Sequence, residues 1–405
     1  MKPSKLIALV SLLAFTILLS IYPQEVRSQG LLVNCDGGGT IRGALGSLKP
    51  GDTLTVSGTC NESVAIEAEV SRITLNGRGS ATIQSPARNQ NAIAIRGREI
   101  TVRGFTISGG NIGIVVQRGG TAVVDGNTIR SNAGDGILVG PGSNAAIINN
   151  TIENNRWGIT VDENSAARIG WQIPTALGLP NTIRNNTDGG ILVLHNSSAR
   201  IIGATITNNG GDGIRVERAS HADITDNSIG GNVGNGITVS GNSGVDLDLG
   251  RIQEVARPNR TDAGMSNGGF GIAWSLGSYV SGSLGTLTGA KGAMRADSTS
   301  VDDLRPFVSS LSFDPIIVSP GGTFTATFSG VDLSAQTYFD MRFRTPGSNT
   351  DQETFNWQQG TSATHAVSGS IQTGVYVVTA VRAHRDIADH SGPYIAVSAS
   401  LTIRP

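Results

Sequence analysis

Hydrophobic and polar positions along this chain repeat about every 23 residues. The pair Gly-Ile returns at Gly113-Ile114, Gly136-Ile137, Gly158-Ile159, Gly190-Ile191, Gly213-Ile214 and Gly236-Ile237, at intervals of 23, 22, 32, 23 and 23 residues. Further columns keep the same phase. A serine stands seven residues after each of the last five glycines (Ser143, Ser165, Ser197, Ser220, Ser243), and an aliphatic residue eleven after (Ile147, Ile169, Ile201, Ile224, Leu247). An asparagine closes each unit (Asn132, Asn155, Asn186, Asn209, Asn232). Self-similarity at a fixed period of this size is the signature of a solenoid or a propeller.

Within each unit the apolar residues alternate, as in Ile137 and Val139, Ile159 and Val161, Ile214 and Val216. Alternation with period 2 predicts strands that show every other side chain to a core. The Gly, Asn and β-branched content excludes helices. A unit of 22–23 residues with three short strands is one coil of a right-handed parallel β-helix, whose coils hydrogen-bond to one another about 4.8 Å apart. The Ile and Val columns then stack as interior ladders, and the Asn column sits at a turn where stacked amides bond coil to coil. Glycine before isoleucine supplies a sharp corner or a bend with positive φ. A leucine-rich repeat would need a leucine frame that is missing, and a propeller blade needs about 40 residues.

An open stack needs caps. Residues 29–70 are expected to form the N-terminal cap and residues 71–290 the β-helix; the phase weakens after Leu249 and returns at Gly271-Ile272, with Ser278 seven residues on. Residues 291–304 read as a linker. From 305 to 405 the units vanish and alternating runs such as 323–328, 338–343, 375–381 and 395–403 take over, separated by turn clusters such as Ser319-Pro320-Gly321-Gly322. This pattern resembles an immunoglobulin-like or fibronectin-like β-sandwich, with Gly374-Val375-Tyr376 resembling its tyrosine corner. The whole chain is therefore expected to be all-β.

Residues 1–28 read as an export signal: Lys2 and Lys5, an apolar run over 6–22, then small residues Val26 and Ser28 before a cut at Gln29. The run is short for a bilayer span, which takes about 20 residues, and no later segment is long and apolar enough, so no membrane span is expected after signal removal. The net charge of −1 suggests no nucleic-acid partner. In an exported chain the two cysteines, Cys35 and Cys60, are expected to form a disulfide, which at that loop length stabilises by about 3 kcal/mol.

The coil phrases Asn-Thr-Ile, Gly-Asp-Gly-Ile and Asn-Asn resemble the pectin-lyase-like superfamily of right-handed β-helices over roughly residues 31–285. The resemblance implies the fold. It also implies an association with acidic polysaccharides, which many relatives bind, cleave or epimerise, while others are adhesins. Asn186-Thr187-Asp188 matches the first polygalacturonase motif by letters, but Asn186 belongs to the Asn column. The coils contain no Gly-His-Gly, Asp-Asp or Arg-Ile-Lys, nor the clustered aspartates and basic residue of pectate lyases. Neither mechanism is carried over, and no metal or cofactor is implied.

Stacking still places side chains. Residues at equal offset from the glycine align, so Asp162, Leu194 and Glu217 form one column and Glu163, His195 and Arg218 the next, with Arg215 close by. Asp162 and Glu217, two coils apart, would lie about 9.6 Å from each other, near the upper end of the roughly 6.5–9.5 Å used in inverting glycoside hydrolysis. Asp162, Glu163 and Glu217 are thus candidate acids and bases. Trp157, Trp171, His195, Arg215 and Arg218 are candidate substrate-binding residues, and the nine extra residues between Ile169 and Asn181 are expected to border them. The competing reading is a polar surface whose opposite charges pair across coils, each pair contributing about 0.2–1 kcal/mol. Asp135 and Asp212, each before a glycine, read as turn residues. Three functions remain in view: an exported polysaccharide-recognising protein, a polysaccharide hydrolase or lyase, and a structural or adhesive protein without catalysis. Oligomeric state is left open.

Overall fold

A computed structural model of the chain describes residues 30–170, 179–247, 258–331, 333–388, 390 and 394–405. The expected signal, residues 1–28, lies outside the described residues, as does Trp171. Apart from one short helix, Ile41–Leu45, the described elements are strands.

Each regular coil has three strands. One coil runs through Ile137–Val139, Asn144–Ile148 and Thr151–Glu153. The first strands of successive coils build a ten-stranded sheet; the second and third strands share a longer sheet. Pairing is parallel and in register. Ile114, Ile137, Ile159, Ile191, Ile214, Ile237 and Ile272 follow one another in the first strands. Ile147, Ile169, Ile201 and Ile224 do so in the second, and Ile129, Ile152, Ile183, Ile206 and Ile229 in the third. All these side chains are completely buried in one core.

The turns are held by three polar ladders. In the expected Asn column, the backbone N–H and side-chain amide of Asn132 donate to Asn155 Oδ1 (3.1 and 3.0 Å), and Asn155 donates in the same way to Asn186 Oδ1 (3.0 and 3.3 Å). The chain of bonds continues through Asn209 and Asn232 to Asn267. The serine column links likewise: the N–H of Ser143 donates to Ser165 Oγ, Ser165 to Ser197, Ser197 to Ser220 and Ser220 to Ser243, each at 3.2 Å. A second asparagine ladder, unforeseen in the sequence, joins Asn127, Asn150 and Asn181 at the turn between second and third strands. Ala204 interrupts it, its N–H still donating to Asn227 Oδ1 (2.9 Å), and it resumes from Asn227 to Asn259.

The repeated glycines do not adopt positive φ. They are required by close approach instead. A Cβ on Gly136 would sit 2.6 Å from Ile152 Cγ2, 2.7 Å from the Gly158 carbonyl oxygen and 2.9 Å from Asn155 Nδ2. The next coil and the Asn ladder together leave no room for a side chain.

At the N-terminal end, Gly30–Asn34 and Thr53–Ser57 already pair in parallel and continue the stack. The helix Ile41–Leu45 starts at Thr40, whose hydroxyl accepts from the Gly43 N–H, and it turns Ile41 and Leu45 into the core. Cys35 and Cys60 are disulfide-bonded. At the other end, residues 291–304, read from sequence as a linker, contain Met294–Ala296 and carry most of Val301–Arg305, and both strands pair in parallel with the preceding coil. Met294–Ala296 is exposed throughout. A last rung with a neighbour on one side only need not alternate, so its sequence has no strand signature.

Beyond it, a three-stranded sheet (Phe307–Asp314, Thr323–Val331, Ser362–Ala366) and a five-stranded sheet (Ile317–Val318, Ile395–Ile403, Gly374–His384, Tyr338–Arg344, Gln352–Gln359) enclose a second core. The Tyr376 hydroxyl donates to the Gln372 carbonyl at 3.1 Å, as a tyrosine corner requires. Asp340 is fully buried in this unit and accepts from the Asn356 N–H (2.8 Å), Arg382 Nε and Nη2 (2.9 and 2.6 Å), His384 Nε2 (3.1 Å) and His390 Nδ1 (3.1 Å). Burial alone would raise its pKa, but these donors outweigh it and hold the carboxyl well below the usual range.

Two stability outcomes follow from these contacts. Asn155→Ala strands the Asn132 N–H and the carbonyls of Ile129 and Glu153; at about 1–3 kcal/mol per unsatisfied buried group, urea unfolding should show a loss of about 3 kcal/mol or more. Asp340→Asn leaves Arg382 buried without its counter-ion and should cost about 3–5 kcal/mol in the same measurement.

Candidate functional site

The first turn, between first and second strands, places two successive residues at positive φ in most coils: Arg118 and Gly119 (57° and 75°), Glu163 and Asn164 (53° and 57°), His195 and Asn196 (50° and 59°), Arg218 and Ala219 (59° and 61°), Leu276 and Gly277 (58° and 72°), whereas Pro141-Gly142 does so at Gly142 alone. The coil after Arg218 uses Gly241 and Asn242 at the same place. The geometry thus belongs to the fold, and its occupants vary from coil to coil.

The predicted columns meet here. His195 Nδ1 lies 2.7 Å from Asp162 Oδ1, and Arg218 Nη1 lies 2.7 Å from His195 Nε2. A guanidinium can only donate, so Nε2 is the accepting nitrogen and Nδ1–H donates to Asp162. Arg218 Nε also stands 3.6 Å from Glu217 Oε1. Asp162, His195, Arg218 and Glu217 therefore form one continuous polar chain across three coils. Glu163 heads the same turn, and its carbonyl accepts from the Gly142 N–H.

Beside this chain the outer face of the ten-stranded sheet forms a cavity of about 380 Å³. Leu138, Thr160 and Leu192 are register partners on its floor, and Asp135, Arg156 and Asp162 also line it. Arg215 follows Leu192 in register, is held by Asp212 (2.8 Å), and places its guanidinium 5.7 Å from the Trp157 ring centre. Trp157 is not the open aromatic platform expected for a sugar. It is buried, because its register partner is Gly189, where a Cβ would collide with the indole ring.

The described ends of the insertion, Gly170 and Leu179, stand beyond the second strand and away from this flank. The insertion leaves the coil at Gly170, past the second strand Ala166–Ile169, and returns at Leu179, whose N–H donates to the Gly170 carbonyl (2.9 Å). A full strand separates Gly170 from Asp162. Trp171, the substrate-binding candidate it carries, falls outside the described residues.

Asp135, read from sequence as a turn residue, has a more particular setting. It is buried at the cavity wall, and burial raises its pKa above the ordinary value, against the opposing pull of the Thr160 hydroxyl and of Arg156 at 3.1 Å. A carboxyl with a raised pKa beside a cavity is a candidate proton donor, and Asp162 on the same cavity, hydrogen-bonded to His195, is a candidate base. The signal that could have found Asp135 is Arg156, 21 residues on, which makes a salt bridge with it. Asp212 behaves as a turn residue, accepting from the Asn235 N–H (2.8 Å).

Among the described residues, Asp340, His384 and His390 also bring potential metal-ligand atoms within 4.8 Å of one another. Both Asp340 oxygens are already engaged, one by Arg382 and the other by Asn356, and this is an ion-pair network.

Residues 54–170 and 180–253 match the family described as a right handed beta helix region. With the pairing above, the protein is a right-handed parallel β-helix followed by a β-sandwich. It is similar to the solved structures of an alginate lyase from Paenibacillus sp. (14% identity, 68% of this chain and 97% of that one, TM-score 0.34), the A-module of a mannuronan C-5 epimerase from Azotobacter vinelandii (16%, 67% and 99%, 0.34), and a periplasmic alginate epimerase (16%, 68% and 82%, 0.35). No curated protein matches the sequence. Among the described residues no helix is long and apolar enough to cross a membrane.

The raised pKa of Asp135 has a definite linkage sign. The native state binds the proton more tightly than the unfolded chain, so its stabilising contribution is complete below the ordinary value of 3.8 and is lost as pH rises through the folded value. The stability of wild type relative to Asp135→Asn should therefore fall as pH rises above 3.8, which paired denaturation curves across that range would measure.

Proposed function

We propose that this is an exported protein that recognises polysaccharide along the first-turn flank of its β-helix. The observation that carries the reading is the occupancy of that turn. In three consecutive coils, Glu163, His195 and Arg218 hold a left-handed backbone position that Gly241 fills in the next. Arg118 and Leu276 hold the same position in other coils, and what sets these three apart is the continuous polar chain that joins them to Asp162 and Glu217. The result is a rail of charged and polar groups beside an apolar floor of Leu138 and Leu192, a combination suited to a sugar's hydroxyls and its C–H face. The Cys35–Cys60 disulfide supports an oxidising compartment.

A second reading, cleavage of the bound chain, draws on one observation: Asp135 and Asp162 line the same cavity in contrasting environments. Pairs of carboxyls whose surroundings push their pKa values apart suit acid and base roles.

One experiment tests both readings. The protein would be offered a panel of plant, algal and bacterial polysaccharides, scoring binding, reducing ends and unsaturated products. Arg218→Ala and His195→Ala should each weaken binding about tenfold, which is about 1.4 kcal/mol, and unchanged binding in both would remove the recognition reading. Turnover that disappears in Asp135→Asn or Glu217→Ala would establish catalysis.

A further inference from the structure

The outer face of the second strands forms a larger groove, about 880 Å³, distinct from the first-turn flank. It runs across the strands Thr121–Asp125, Asn144–Ile148, Ala166–Ile169, Ser198–Ile202 and His221–Thr225, a span of about 19 Å at ordinary strand spacing. We propose that this groove binds an anionic polysaccharide chain lying along the helix axis, with Arg168 as its anchoring cation.

Small residues open the groove. Ala146 and Ala166 stand at outward positions where longer side chains would fill it, and Thr121, Asn144 and Ser198 offer hydroxyl and amide groups along one edge. Among the described residues, the imidazole of His221 is the one aromatic ring that lines it.

The charge pattern is specific. Ala146, Arg168, Arg200 and Asp223 are consecutive register partners. Asp223 is spent on one side: Arg200 donates to it twice (3.1 and 3.0 Å), and His221 Nε2 stands 3.4 Å from its other oxygen. Arg168 is exposed, faces Arg200 directly across the sheet, and has no ion-pair partner among the described residues. Like charges directly opposite are destabilising, and the one remaining acid on the groove, Glu99, stands at its far end. An incoming carboxylate or sulfate supplies the missing charge, and arginine's planar fork binds either in two-point fashion. The insertion also leaves the coil here, at Gly170, two residues past Arg168.

Calorimetry on the full exported chain tests this with three probes: an oligogalacturonate, a sulfated heparin oligosaccharide and a neutral cello-oligosaccharide. The anionic probes are expected to bind, with affinity falling as salt rises, and the neutral one to bind at least tenfold more weakly. Which anionic probe binds tighter assigns carboxylate or sulfate. Arg168→Glu, at an exposed position, should weaken anionic binding tenfold or more, and Ala166→Trp should block the groove, while Arg130→Ala, on the third strand Thr128–Arg130 outside the groove, leaves this binding unchanged. Wild-type binding by both groove variants, or equal binding of neutral and anionic probes, overturns the proposal. If only Arg218→Ala and His195→Ala weaken binding, the first-turn reading stands and the groove falls. If only the groove variants do, the reverse holds. If no probe binds, the groove proposal is overturned.

Discussion

In a stack of parallel coils every residue meets its own counterpart one coil away, and this enforced self-contact governs the molecule. A column can persist only if its chemistry complements itself. Isoleucine does so by packing, which is why Ile114 through Ile272 repeat along one interior edge. Asparagine does so because its amide carries both donor and acceptor, so that Asn155 accepts from Asn132 and donates to Asn186. Serine uses its hydroxyl oxygen to accept the N–H of the serine one coil earlier. Buried polar groups at these turns have no water to turn to, and an adjacent coil is the partner that satisfies them. Such an arrangement gives nearest-neighbour cooperativity, and it makes the ends the weak points. Here the first end is closed by a capped helical turn and a disulfide, and the last by an exposed rung leading into the sandwich.

The same constraint leaves the outward positions free. A residue pointing to solvent touches only flexible neighbours, so each coil can differ there from the next. Both proposed binding surfaces exploit that freedom. On the first turn, Glu163, His195 and Arg218 stand where other coils place Arg118, Gly241 or Leu276. On the second strands, two arginines face each other with one acid between them and neutrality. In each case the variation falls at positions where the interior ladders are intact, a division between a rigid scaffold and a chosen surface that β-solenoids permit.

Much of this was legible in the sequence, and the reasons are physical. The Ile, Ser and Asn columns announce themselves because self-contact demands repetition. The second asparagine ladder obeyed the same rule, but Ala204 breaks it and hides the phase. The role of the glycines was half visible: a letter reports the missing Cβ, while whether φ or a neighbour's Ile152 methyl forbids one depends on the packing. Offsets put His195 and Arg218 in one column with Glu163, whereas the partner of His195 is Asp162 from the neighbouring column. Trp157 did not behave as expected, since its register partner across the long coil is a glycine that lets the indole lie flat. Asp135 read only as a turn residue because burial at a turn depends on the side chains of neighbouring coils. The rung at Met294–Ala296 had no alternation to read.

The long coil carries a broader consequence. The amide bond from Asn127 to Asn150 spans 23 residues and that from Asn150 to Asn181 spans 31, yet both measure 2.9 Å. The extra length is absorbed wholly at a corner, and the lattice on either side does not register it. For an evolving gene, this separates two kinds of change. Exchanging a single letter inside a column is punished at once, whereas splicing several codons into a corner passes unnoticed by the scaffold. Lineages built on such a frame should diversify by acquiring and shedding loops at fixed ports, keeping the coils between them nearly constant. A protein engineer could use those ports for the same purpose.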